Sequence, residues 1–355
     1  MPRNPKVALA AASLVTLALA MARPARAGDM DITPERLANC STMPCTPNNV
    51  GWANLMSELG MAIAPTAFHS ARTTGLGGFA LSLEASFTHV NADASAGGQQ
   101  YWHAGTAGPV DPNTHAFSTQ NTNPDSLLAV YSLKARKGLA YGFEIAGDLG
   151  YLANTSLWVG GADVRWAILE GYRTGPLGYF PDLAIGGGVR TLGGSPKFFL
   201  TTVGLDAQIS KPIAIDDSAV LTPYLGAQRV IIFADSSVVD LTPGVDPLNC
   251  GYLGPNVPVP GGNKYATPAN LHGQPANNGM PICTGSNEDF DNDTTFRRAR
   301  IHRWRWIAGL NYRFEILYLA AQFAMDLTDP SAENGVIGVD GAKQWTTSFE
   351  AGVSF

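Results

Sequence analysis

Three groups of residues in this chain have types and spacings that could do chemistry. His103, Asp111 and His115 share one stretch rich in Thr, Asn, Gly and Pro. An aspartate that orients a histidine is the usual make-up of a general base. In NEDFDNDT, Asp289, Asp291 and Asp293 alternate like the start of a calcium loop. Thr294 then stands where that loop needs glycine, and Arg300 where it needs a bidentate glutamate. The third group is the largest: Glu84, Lys134, Arg136, Glu144, Asp148, Asp163, Arg165, Arg190, Asp206, Arg303, Arg305, Asp326 and Glu350. These carry both signs in similar number, the composition of an ion-paired interior. The chain has no GxSxG or HExxH motif, and its glycine clusters GLGGF and GGGVRTLGG lack the strand–loop–helix setting of a phosphate loop. No catalytic residue, metal-ligand set or cofactor is assigned.

The elements that carry the third group explain its spacing. Each charge sits in a segment where apolar and polar residues alternate, the period of a strand with two unlike faces. In FALSLEASFTH, Phe79, Leu81, Leu83, Ala85 and Phe87 oppose Ser82, Glu84, Ser86 and Thr88. LLAVYSLKAR sets Leu127, Tyr131 and Leu133 against Lys134 and Arg136. LAYGFEIAGDLGYL alternates from Leu139 to Tyr151, with Glu144 and Asp148 on the polar side. LWVGGADVRWAIL, DLAIGGGVRTL and FFLTTVGLDAQIS follow, then VLTPYLGAQRVIIF, whose Pro223 and Arg229 fit an apolar face poorly. IHRWRWIAGLNYRF, EILYLAAQFAMDL and WTTSFEAGVSF complete ten segments.

An even number of two-faced strands matches a transmembrane barrel, apolar outward and polar inward. The connections agree. With the first strand starting in the periplasm, the outer connections are 91–124, 152–156, 193–197, 234–297 and 328–343, and the three longest of all fall there. The inner ones, 137–138, 171–180, 211–219 and 313–315, are short. The fold class expected is all-β: an antiparallel transmembrane barrel of about ten strands over residues 76–355, with a short helix before it.

Residues 1–27 read as a cleaved signal peptide: Arg3 and Lys6, the apolar run Val7 to Ala20, then Ala25-Arg26-Ala27. That apolar run is too short for a membrane helix. Its removal takes four of the 23 basic residues and none of the 29 acidic ones. The remainder is acidic, which argues against a nucleic-acid partner. Charged residues make up only 15%, below the roughly 25% of soluble domains. Residues 28–75 form a separate periplasmic or plug segment. Within it Trp52, Leu55, Met56, Leu59 and Ile63 have helical spacing, and Pro65 is a stop. The helix is expected to pack an apolar stripe on the barrel base, to plug the lumen, or to lie on the inner leaflet.

The final strand, Trp345 to Phe355, resembles the carboxy-terminal signal of Gram-negative outer-membrane barrels. That resemblance implies recognition of Phe355 by the barrel-assembly machinery and residence in the outer membrane. Cys40 and Cys45 are then expected on the periplasmic side and Cys250 and Cys283 in the fourth outer loop, so topology leaves Cys40–Cys45 and Cys250–Cys283 as the disulfides. Arg297, Arg298 and Arg300 would emerge at the outer rim and meet lipopolysaccharide phosphates, for which the arginine fork is suited. The functions expected are a narrow channel for small polar solutes or a surface structural or binding barrel. A rim-sited hydrolase, lipid-modifying or omptin-like and using the His103, Asp111, His115 group, is the alternative. The extracellular ligand is not readable.

Overall fold

The computed structural model describes residues 28–39, 45–92, 101–108, 121, 123–171, 179–241, 250–252, 281–283, 293–328, 331–332 and 343–355. The signal segment therefore lies outside the described residues. Ten long strands form the barrel: β1 (Phe79–His89), β2 (Leu127–Gly138), β3 (Phe143–Leu152), β4 (Trp158–Leu169), β5 (Asp182–Gly193), β6 (Phe198–Ser210), β7 (Ala219–Ser236), β8 (Ala299–Phe314), β9 (Leu317–Asp326) and β10 (Trp345–Ser354). Each pairs antiparallel with the next, and β10 pairs with β1 from Thr346 opposite Thr88 to Ser354 opposite Ala80. Beyond the ladder, Phe355 and Phe79 exchange backbone hydrogen bonds of 2.7 and 2.9 Å. The seam leaves no free edge, the condition for a sheet in hydrocarbon.

The barrel is inside out relative to a water-soluble protein. Leu205, Trp304 and Phe349 are exposed by 53%, 45% and 50%, while Lys134, Arg303 and Arg305 are each 1% exposed. Outward greasy side chains on every strand and inward charges satisfy a bilayer, not water. Among the described residues no helix is long and apolar enough to cross a membrane; the strands do so. Two outward or inward glycines are roofed by rings: Trp158 lies over Gly193 and Tyr224 over Gly309, so close that a Cβ at either would overlap the ring. An aromatic laid over a glycine covers backbone that carries no side chain of its own.

Two features depart from the sequence reading. The third strand starts at Phe143, not Leu139, because Ala140–Gly142 make a tight turn in which Tyr141 (φ 62°) and Gly142 (φ 74°) are left-handed. The first inner connection is thus 139–142. The alternation through Leu139 and Tyr141 arose because a turn of aromatic and glycine imitates a strand. The irregularity of β7 also has a cause. Val230 and Ile232 face inward and are fully buried, while Phe233 faces outward. Both faces are apolar there because the inner one meets a helix rather than polar lumen.

That helix is α1 (Asn49–Ala62). Asn48 caps it, its Oδ1 accepting from Gly51 N at 2.9 Å, which satisfies one of the orphan donors of the first turn. Trp52, Leu55, Met56, Leu59 and Met61 are at most 1% exposed, and Gly51, Asn54 and Ser57 are buried too. A helix covered on every side is internal. It is not amphipathic and does not rest on the barrel base: it lies inside the outer half of the barrel. Trp52 stacks on Phe296 and meets Phe198 edge-on, and Gly60 abuts Ile232. A five-residue helix α2 (Tyr101–Gly105) packs on it through Gly105 and Leu55.

Candidate functional site

The lumen is filled in two storeys. The outer storey is the apolar packing of α1 against inward residues at the outer ends of the strands, among them Leu128, Leu152, Leu200, Val230, Ile232 and Ile301. The second is polar and is threaded by residues 63–78, which run from the end of α1 to the start of β1.

Wall side chains hold this thread largely by its backbone. Pro65 O accepts from Arg305 Nη2 (2.6 Å) and Gln228 Nε2 (3.0 Å). Thr66 O accepts from Gln322 and Ala67 O from Gln208, at 2.6 and 2.7 Å. Arg165 Nη1 donates to Ser70 O (3.0 Å) and His69 O (3.3 Å). Further along, Ala71 N donates to Ser210 Oγ, Thr73 N to Glu170 and Thr74 N to Glu144. The extended thread has no ladder of its own, so the wall supplies the partners its buried amides require. Its side chains add His69 beside Glu144 (3.6 Å) and Arg72 on Asp182 (2.8 Å).

The thirteen charges read from the sequence all face this interior. Lys134 pairs with Glu84 at 3.2 Å. Arg136 pairs with Glu350 at 3.5 Å, and Glu350 also accepts from Tyr318 OH and Ser82 Oγ. Arg190 grips Asp163 with two hydrogen bonds of 3.0 and 2.9 Å and reaches Asp148 at 2.7 Å. Arg165 pairs with Asp206 at 3.5 Å, and Arg303 with Asp326. Arg305 has its Nε on Gln228 and its Nη2 on the thread. Glu144 takes Thr74 N and His69. A small pocket between Pro65, His69, Lys134, Glu144, Asp163 and Asp206 has about 10 Å³ of free space, room for roughly one water molecule. The structure therefore holds ion pairs and a thread where a solute path would run.

His69 and Arg72 of the thread, and the thread's wall neighbours Glu170 and Asp182, join this network; the thread itself carries no periodic signal in the sequence. Only the polar run HSARTTG ahead of the first strand marks it.

The amino-terminal segment lies at the end of the long connections. Gly28 donates to Asp31, Met30 N to Asn154 O, and Asp31 accepts from Ser156. Thr33 contacts Gly105, Arg36 donates to Thr106 O at 2.7 Å, and Glu35 pairs with Lys197. Burial in this cap lowers the Arg36 guanidinium below its ordinary pKa, against the opposing effect of the Glu35 charge. Cys45, 5% exposed, precedes the strand pairing of Thr46–Pro47 with Ala38–Asn39 in the same cap. This corrects the periplasmic placement of Cys45. The chain enters the barrel from the outer end, because α1 must reach apolar partners that only the outer storey offers. The membrane does not separate the cysteine pairs. Cys40 lies outside the described residues. Cys250 stands directly opposite Cys283 in a short ladder.

Of the rim arginines, Arg297 donates its backbone N to Asn49, Arg298 pairs with Asp235, and Arg300 lies over the Phe233 ring at 5.3 Å. Asp111 and His115 lie outside the described residues, as do Asp289 and Asp291 and the side chain of His103.

A closed antiparallel sheet of ten strands, greasy outside and charged inside, with long connections at one end, defines an outer-membrane β-barrel. No family model matches the chain, and no curated protein does. Solved structures similar to it include Ail, the attachment invasion locus protein of Yersinia pestis (12% identity, 79% of this chain and 99% of that one, TM-score 0.24). Neisserial surface protein A shares 11% identity over the same shares, TM-score 0.28. The outer membrane protein Omp33 of Acinetobacter baumannii shares 7% over 79% and 98%, TM-score 0.25. Likeness this distant transfers no activity, so function rests on the lumen and surface of this chain.

Proposed function

We propose that the protein is a closed, self-plugged barrel whose outer end serves as a surface structural or binding platform. The observation that supports this is the occupation of the lumen by residues 49–78, held by wall side chains at almost every peptide group from Pro65 to Thr74. A barrel of this strand number has little space to spare, and an ion-paired filling leaves none for a hydrated solute. The channel reading is thereby disfavoured. In planar bilayers the full chain is expected to give no discrete openings; reproducible single-channel steps from the unmodified protein would overturn the proposal.

Three subsidiary assignments belong to the same reading. Cys45 is not a free thiol, which supports a bridge to Cys40 within the cap. The cross-strand register of Cys250 and Cys283 suits a second bridge in the fourth outer connection, and unreduced peptide mapping would find or refute both. Phe355, its ring 5.5 Å from that of Phe79, is assigned as the assembly signal. Phe355→Ala is expected to cut the outer-membrane fraction severalfold; unchanged placement would refute that role.

A further inference from the structure

One part of the outer wall breaks the rule that lipid meets apolar side chains. Alternation along β7 turns Gln228 and Val230 inward, so Arg229 points outward, and it pairs in register with Trp304 on β8. Trp304 is exposed on the lipid side. The Arg229 guanidinium sits over that ring, 5.7 Å from its centroid, and its Nη2 lies 3.4 Å from Nδ1 of His302, which also points outward. Two residues up β7, Ile231 opposes His302, and Phe233 opposes Arg300, whose guanidinium covers the Phe233 ring.

The level of this group follows from its neighbours. Trp304 O accepts from Leu327 N, the first residue past β9, and β9 and β10 end beside it at Asp326 and Trp345. The group therefore stands where the neighbouring strands leave the hydrocarbon, on the side of the long connections. An arginine on a lipid face costs about 2–4 kcal/mol at mid-depth and little at the interface, where anionic groups are in reach. Ring stacking orients the guanidinium, whose fork suits an anionic oxygen acceptor such as a phosphate. Among the described residues no carboxylate pairs with Arg229, and its Nε is buried without a hydrogen-bond partner. The one carboxylate on this face with a described ion pair, Asp235, is taken by Arg298.

We propose that Arg229, His302 and Arg300, on the ring faces of Trp304 and Phe233, form a binding site for a phosphate of the phosphorylated glycolipid in the outer leaflet. The apolar outward residues below it, Leu225 and Leu310, offer a track for the acyl chains. This site is set apart from the lumen and from the platform reading, and stands whether or not the barrel conducts. It also differs from the rim stretch read in the sequence: Arg298 is paired with Asp235 and Arg297 is tied to Asn49 through its backbone N, and Arg229, which looked misplaced in a strand, is its centre.

The test titrates the full chain in mild detergent with diphosphorylated lipid A, its fully dephosphorylated form and phosphatidylglycerol, with bound lipid counted by native mass spectrometry. The diphosphorylated form is expected to bind best. Its affinity should fall by roughly tenfold or more when the phosphates are removed or in Arg229→Gln, the scale of one charge-assisted bidentate contact. Lys137→Gln, which removes an exposed charge from the opposite end of the barrel, should leave binding unchanged. Equal binding by phosphatidylglycerol, equal losses in Lys137→Gln and Arg229→Gln, or no loss in Arg229→Gln with Trp304→Leu, would each overturn the proposal.

Discussion

Arg303→Met is expected to lower the unfolding free energy of the barrel by about 3–5 kcal/mol, the cost of leaving one member of a buried ion pair without its partner. Arg303 is 1% exposed and Asp326 3%. The guanidinium holds Asp326, Gln344 and both the Oγ (3.0 Å) and the O (3.3 Å) of Ser57, so it ties β8, β9 and α1 at one point. Methionine fills much of the same space but leaves the carboxylate with only the Gln344 amide, which donates to it at 2.9 Å. Urea titration in lipid vesicles, followed by tryptophan emission, measures the loss. The double replacement Arg303→Met with Asp326→Leu should recover most of it, because replacing a whole buried pair with apolar groups is often neutral. A single variant within about 1 kcal/mol of the parent would mean that the lumen charges are hydrated and the filled interior is wrong.

Gly60→Leu should have the next largest effect, on closure as well as stability. A Cβ at Gly60 would stand 2.5 Å from Ile232 Cγ2 and 2.9 Å from its Cδ1, and Ile232 is fully buried. Overpacking of this kind costs about 1–3 kcal/mol. Here the strain has an outlet. The barrel wall is a closed hydrogen-bonded ladder, whereas α1 is attached by side-chain packing, so the helix gives way first. Gly60→Leu is therefore expected to show discrete bilayer conductance that the parent lacks, together with a lowered urea midpoint. Gly60→Ala should be intermediate in both. A Gly60→Leu protein that stays electrically silent at unchanged stability would show that α1 does not seal the barrel.

The strands were legible because most of their length obeys a single rule, lipid outside and polar or small residues inside, and the rule has a period of two. Glu84, Lys134, Arg190 and Arg303 could be placed in the interior from that alternation alone. The rule lapses where the inner face meets protein. Val230 and Ile232 blur β7 because α1 lies against them, and nothing local announces that contact. The helix itself was visible from Trp52, Leu55, Met56 and Leu59, but its place was not. Periodicity names an apolar stripe and cannot say that Gly51, Ala53 and Gly60 on the other faces are covered as well. The thread from Pro65 to Thr74 is held by its backbone, which every sequence possesses, so its role left no mark beyond small and polar side chains. Placing Cys45 failed for the same reason. The order of elements along the chain gives no sign that the segment before β1 starts at the far end of the barrel.

The measurement that bears most directly on all this is a cross-link between Gly60→Cys and Ile232→Cys in cells with an intact envelope. The two side chains would face each other at contact distance, and a disulfide needs Cβ atoms about 3.8 Å apart. A helix seated inside the outer half of the closed barrel predicts near-complete bridging of this pair in the outer-membrane fraction, mapped by mass spectrometry without reduction. Two free thiols in assembled barrels, both open to a water-soluble maleimide, would contradict it.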